Sequence, residues 1–147
     1  MPKPRLYFIP GTQCDQRVWG KLWPELRQFD LIHLPIPLSA SIDEMATHIA
    51  ASIEEDRVAL IGFSLGGHLA ARLAQLAPQK VARLFLMSNS PCALPVEEQQ
   101  YRAGALKWIA ANGYQGIGQR RLRRLIDTAN WDRVDIRTRI KTMDRDL

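Results

Sequence analysis

Ser64 stands at the centre of Gly62-Phe63-Ser64-Leu65-Gly66-Gly67, between the apolar run Val58-Ala59-Leu60-Ile61 and leucines 65, 69, 73 and 76 at helical spacing. A serine on a sharp turn between a buried strand and a helix has its hydroxyl lifted above the C-terminal edge of a sheet, at a cost in backbone strain. Small residues two before and two after it let strand and helix approach without side-chain collisions. The amides that open the helix favour negative charge at the same spot. The chemistry this pattern suits is attack by the hydroxyl on a carbonyl carbon, with charge developing on the carbonyl oxygen. With glycine and serine each near ~7% of residues, the G-x-S-x-G spacing arises by chance about 0.05 times in a chain this long, and requiring the flanking strand and helix lowers that further. The competing reading is a glycine-rich turn whose serine merely caps the helix.

Hydroxyl attack needs a base to take the proton. His68 lies four residues after Ser64 on the same helix, which carries it away from the turn and predicts packing beside the sheet. His33 ends a candidate strand and reads as packed or partly exposed, and His48 falls in a helix as a surface residue. Neither these histidines nor Cys14 and Cys92 form a ligand group with metal spacing, so no metal or cofactor is expected, and both cysteines read as reduced thiols. No acid or base is assigned.

The elements around the serine alternate. Leu6-Tyr7-Phe8-Ile9, ended by Pro10-Gly11, predicts a buried strand entering a turn. Val18, Trp19, Leu22, Trp23 and Leu26 predict a helix over 16–28 with Asp15 as its N-cap, and residues 30–34 predict a second strand. Ser41-Ile42-Asp43-Glu44 predicts a capping box before a helix with Ile42, Met45, Ile49 and Ile53 on one face. Residues 58–62 and 81–87 predict two more strands, without polar alternation in the first, as expected of a sheet covered on both faces. The order β-α-β-α-β-α-β predicts an α/β fold with a doubly wound parallel sheet of about four strands over residues 1–92. From about residue 93 no strand is predicted, and residues 96–147 read as two or three short amphipathic helices broken at Asn112-Gly113 and near Gly116 and Gly118.

This combination resembles the α/β-hydrolase superfamily. Tyr7-Phe8-Ile9-Pro10-Gly11-Thr12 looks like the strand and loop that supply half of that family's oxyanion hole, which implies backbone donors at Thr12 and Leu65 beside the nucleophile Ser64, with Gly62 and Gly66 as the turn's glycines. Most relatives have His where Pro10 stands; Pro10-Gly11 with Cys14-Asp15 and Trp19 is similar to a bacterial variant of the loop. The family's Asp-x-x-Gly-x-Gly pattern is absent. The resemblance implies a hydrolase acting on a small-molecule carboxylic ester or thioester, with no cofactor and with the triad ordered Ser, acid, His. It also implies that residues 93–147 form a helical cap or lid segment. Ser88-Asn89-Ser90, where some relatives carry the acid, has no carboxylate, and the chain reaches Leu147 still within that segment. The expectation is an N-terminal, truncated portion with the triad acid and histidine outside this chain. The same scaffold also hosts lyases and cofactor-free peroxidases.

A second class of function stays open: an inactive α/β-hydrolase-like module that binds a partner or oligomerises through the sheet edge left unpaired after residues 81–87. Of the net charge of +5, residues 1–92 carry +1 and residues 93–147 carry +4. The run Arg120-Arg121-Leu122-Arg123-Arg124-Leu125 predicts a helix with Leu122 and Leu125 inward and solvated arginines, with an anionic acyl-carrier ligand as the alternative. Trp108 and Tyr114 read as cap packing rather than base-stacking platforms, and nucleic acid is not expected as a partner. No apolar run reaches the ~18 residues of a membrane span, and the four-residue apolar stretch Leu6 to Ile9 is too short for a signal peptide, so a cytoplasmic location is expected.

Overall fold

A computed structural model describes residues 2–39 and 41–147. Four parallel strands, β1 (Arg5–Ile9), β2 (Asp30–His33), β3 (Val58–Phe63) and β4 (Val81–Met87), form one sheet in the order β2-β1-β3-β4. Leu6 to Ile9 pair with Ala59 to Gly62, and Ala59 to Phe63 pair with Arg83 to Met87 after an irregularity at Val58. Side chains alternate across each strand. Tyr7, Ile9, Val58 and Leu60 therefore face one side, where α1 (Ile42–Ser52) and α2 (Leu65–Leu76) close a core with Ala46, Ile49, Leu69, Ala70 and Leu73. Phe8 and Ile61 face the other, against Trp19 and the half-buried Trp23.

That second face departs from expectation. The helix predicted over 16–28 is two 3₁₀ turns, Gln16–Trp19 and Trp23–Leu26. The backbone bonds that bound and join the two turns span three residues, among them Val18 N–H to Asp15 O and Glu25 N–H to Leu22 O. The reason is local: Pro24 has no N–H to give to Gly20, and glycine is itself a poor helix residue. The periodicity is still used, because Trp19 packs on Phe8 at 5.1 Å and Trp23 at 5.9 Å. Asp15 does cap the first turn, accepting from Arg17 N–H at 2.9 Å.

The capping box at α1 is half realised. Ser41 Oγ accepts from Glu44 N–H at 3.2 Å, while the Glu44 carboxylate accepts from Ser39 instead of reaching back. Ala46 rather than Ile42 fills the buried face, and Ile42 is exposed. A bidentate Arg72–Asp43 pair at 2.7 and 2.9 Å links α2 to α1 on the surface, where such pairs contribute little.

The chain divides into two compact units, Met1–Pro91 and Cys92–Leu147. The second contains α3 (Val96–Asn112), α4 (Gln119–Leu125), a 3₁₀ turn (Thr128–Asn130) and α5 (Val134–Asp146). Gly113 ends α3 at φ 76°, a conformation that costs glycine nothing. Asp144 on α5 accepts from Ile117 N–H at 2.8 Å and from the Tyr114 hydroxyl, tying down the segment after α3. Three sequence expectations are corrected in this unit. Along α4 the buried pair is Leu122 with Ile126, four apart, and Leu125 is 56% exposed. The apolar residues of α3 are spread around the helix and none is buried, so α3 is not amphipathic. Trp108 and Tyr114 are half-exposed and line an open groove of about 680 Å³ rather than packing inside. Trp131 instead receives two guanidiniums, Arg123 at 4.5 Å and Arg137 at 5.3 Å from its ring centre.

Phe8 is buried at the sheet's centre, while Phe85 on edge strand β4 is 61% exposed. Phe8→Ala is expected to lower unfolding free energy by about 3–5 kcal/mol and Phe85→Ala by no more than about 1 kcal/mol. Urea unfolding of the two variants checks the difference.

Candidate functional site

The C-terminal ends of β1, β3 and β4 each run into a non-glycine residue with positive φ: Gln13 at 56°, Ser64 at 54° and Ser88 at 49°. Such residues cost roughly 1–3 kcal/mol each and persist only where the surroundings hold them. Ser64, with ψ −117°, lies outside the left-handed helical well altogether.

Close packing explains why the turn has this shape. A Cβ on Gly62 would lie 2.4 Å from Gly66 O, and one on Gly66 would lie 2.3 Å from the carbonyl oxygens of both Ile9 and Pro10. The first turn of α2 thus rests directly on the backbone of β3 and of the β1 exit. A Cβ on Gly11 would meet the Phe63 ring at 3.0 Å and Ser64 Cβ at 3.2 Å, so the β1 loop passes against the serine. That loop turns through Thr12 and Gln13, closed by Cys14 N–H to Gly11 O at 3.1 Å. The structure therefore brings Gly11 and the segment leading to Thr12 beside Ser64. Thr12 is exposed, and Leu65 supplies the first amide of α2, one of those a helix leaves without an intrahelical acceptor.

Ser64 is anchored through its backbone. Its N–H donates to Met87 O at 2.9 Å, and its carbonyl accepts from Gly67 N–H at 2.9 Å and from Asn89 Nδ2 at 2.9 Å. Its side chain makes no capping hydrogen bond to α2. A side-chain cap on α2 therefore does not account for this serine. Asn89 is the residue the motif does not reveal. A side-chain amide reaching a carbonyl 25 positions away leaves no periodic or spacing signal.

The histidines lie apart from this arrangement. His48 is exposed on α1, and His68 is half-buried on α2. His33 ends β2, two strands from β3 and thus roughly 10 Å away by strand spacing. Its Nδ1 is buried without a partner. Burial pushes its pKa down, opposed by the Asp15 carboxylate. Asp15 is itself held below the usual carboxylate range by hydrogen bonds from the Arg17 guanidinium at 2.6 to 2.9 Å. Burial pushes the Cys14 thiol up, as expected of an unreactive cysteine. Among the described residues no three His, Cys, Asp or Glu side chains converge as a metal site.

Two outcomes follow from this geometry. Gly66→Ala is expected to cost about 3 kcal/mol or to prevent folding, whereas Gly104→Ala, with open space at its Cβ within α3, should gain about 0.5–1 kcal/mol; chemical unfolding of both distinguishes them. For His33, a folded pKa below the unfolded value means that protonation favours the unfolded chain. Stability is unaffected above about pH 6.5 and falls as pH drops below it. His33→Gln should flatten that part of the profile in urea titrations between about pH 5 and 7.

Comparison with known proteins agrees with the fold. Residues 39–132 match the family model of the alpha/beta hydrolase fold. The chain is 33% identical over 98 residues to a pimeloyl-[acyl-carrier protein] methyl ester esterase of Nitrosomonas europaea, covering 60% of this chain and 38% of that protein. It is 37% identical over 97 residues to the enzyme of that name from Aliivibrio fischeri, covering 59% and 37%. The chain thus spans about two fifths of the curated relatives it matches. Among solved structures, a thermophilic esterase from Thermogutta terrifontis superposes with a TM-score of 0.76 at 18% identity, covering 97% of this chain and 58% of that one. A hydrolase from Pseudomonas aeruginosa gives 0.69 at 20% identity, covering 96% and 58%. The match over residues 39–132, which takes in β3, the Ser64 turn and α2, shows that the chain belongs to the alpha/beta hydrolase fold family.

Proposed function

We propose that this chain carries the nucleophile half of a carboxylic-ester hydrolase, with Ser64 as the nucleophile and the Thr12 and Leu65 N–H groups as oxyanion donors. The observation that carries the reading is the Ser64 turn. A strained φ of 54° is maintained at a serine whose side chain caps nothing, and backbone strain held in place by its surroundings clusters at functional sites. In the reaction, Ser64 Oγ forms a bond to the ester carbonyl carbon and its proton passes to a base. The carbonyl oxygen gathers charge between the two amides, each such donor being worth a few kcal/mol. Collapse expels the alcohol, which takes up the proton, and water hydrolyses the acyl-serine to return the enzyme and a carboxylic acid. We assign no base or acid to the described residues, since His33 is too distant and His48 and His68 sit on helix surfaces. In the family both follow the helical segment that residues 93–147 resemble.

For the substrate, the relatives named as esterases of a carrier-protein-bound methyl ester favour an acyl methyl ester over a thioester. The net charge of +4 on residues 93–147 suits an acidic carrier. A second reading rests on a separate observation: β4 forms one edge of the sheet and exposes Phe85 and Leu84, so a second chain can pair there. A strict monomer in sedimentation counts against that.

A fluorophosphonate probe is expected to modify Ser64 in the folded chain slowly and faster at higher pH, because oxyanion donors without a base give only weak activation. Equal labelling of the parent chain and Ser64→Ala, read by mass spectrometry, would sink the assignment.

A further inference from the structure

We propose that Asn89 is a positioning residue that aims the Leu65 amide, by gripping the opposite end of the same peptide unit. The proposal rests on the reading of Ser64 and Leu65 above. The Ser64 carbonyl and the Leu65 N–H belong to one peptide plane, and in a trans peptide they point in opposite directions. Whatever fixes the carbonyl therefore fixes the direction of the N–H. Asn89 Nδ2 donates to Ser64 O at 2.9 Å from beyond the end of β4, while Gly67 N–H reaches the same oxygen from α2 at 2.9 Å. His68 N–H adds a longer helix bond at 3.4 Å, so donors come from the helix on one side and from Asn89 on the other, and the plane cannot swing without breaking one of them. A hydrogen bond to the carbonyl also polarises the peptide and strengthens its N–H as a donor.

The setting of Asn89 suits this role. Its side chain occupies space that only a glycine at 67 leaves open, since a Cβ there would lie 2.7 Å from Asn89 Cβ and 2.8 Å from Cγ. Ser88, the preceding residue, is held at φ 49°, and Ser64 N–H donates to Met87 O. The segment 87–89 thus contacts the strained residue on both sides, through the amide before its Cα and the carbonyl after it. Asn89 Oδ1 is buried without a hydrogen-bond partner. An unpaired acceptor is a cost that folding stability alone would not select, and it is tolerated here because Nδ2 faces the Ser64 carbonyl.

The test uses the 147-residue chain with Asn89→Asp and Asn89→Ala. Three readouts are compared with the parent: the Ser64 carbonyl carbon shift, the Leu65 amide nitrogen shift, and the second-order rate of Ser64 labelling by a fluorophosphonate. Asn89→Asp keeps the shape but replaces the donor by an acceptor when ionised. Both shifts are expected to move in each variant, and labelling to slow roughly tenfold or more. In Asn89→Asp alone, shifts and relative rate should return toward the parent as pH is lowered through the carboxyl's titration, because the protonated group can donate again. Shifts unchanged in both variants overturn the proposal. So does a change in Asn89→Asp that does not titrate, which would mark a packing loss. If the shifts respond and titrate but Ser64 of the parent is never labelled, the Asn89 grip stands and the nucleophile assignment falls.

Discussion

The geometry of this protein turns on a contact with no side chain in it. The first turn of α2 lies so close to the exits of β1 and β3 that a single methyl group at Gly62 or Gly66 would collide with backbone. Parallel strands bring their C-terminal ends to one edge, and a helix that starts hard against that edge points its unpaired amides back across it. The chain between strand and helix then has one residue in which to reverse, and that residue takes up the strain. Ser64 takes up the strain between Gly62 and Gly66, the two glycines whose missing side chains allow that contact. Its side chain is half-buried and makes no bond to the helix it opens.

The rest of the first unit supports that contact. Leu69, Ala70 and Leu73 hold α2 on the sheet face formed by Tyr7, Ile9, Val58 and Leu60, so the helix cannot back away from the turn. On the opposite face the cover is thin, two 3₁₀ turns whose tryptophans stack on Phe8, and it thins out altogether at Phe85. The sheet is thus well covered on the face that seats the helix and sparsely covered on the other.

Much of this was legible in the residues. Short, mostly apolar runs ending at Pro10-Gly11, before Pro35 and at Gly62 mark strands, and the observed ends agree to within a residue. The parallel order follows from the alternation with helices. Residues 16–28 were misleading because Val18, Trp19, Leu22, Trp23 and Leu26 put apolar groups on one side of an α-helix and of successive tight turns alike; Pro24 decides between them only once its missing donor is weighed. The inward face of α4 shifted from Leu125 to Ile126 because the short helix ends at Leu125 and the residue after its last turn is the one that buries. Asn89 was invisible as a partner of Ser64, since the contact joins residues from two different strand ends and only the folded sheet makes them neighbours.

Both groups that restrain the Ser64 backbone from outside its own helix, Met87 O and Asn89 Nδ2, sit at the end of an edge strand. Edge elements open locally at free energies well below that of global unfolding. Loss of the β4 end would remove both restraints on the turn without breaking the β1–β3 pairing. The serine's geometry is thus tied to the pairing of β3 with β4 as well as to the glycines and the helix.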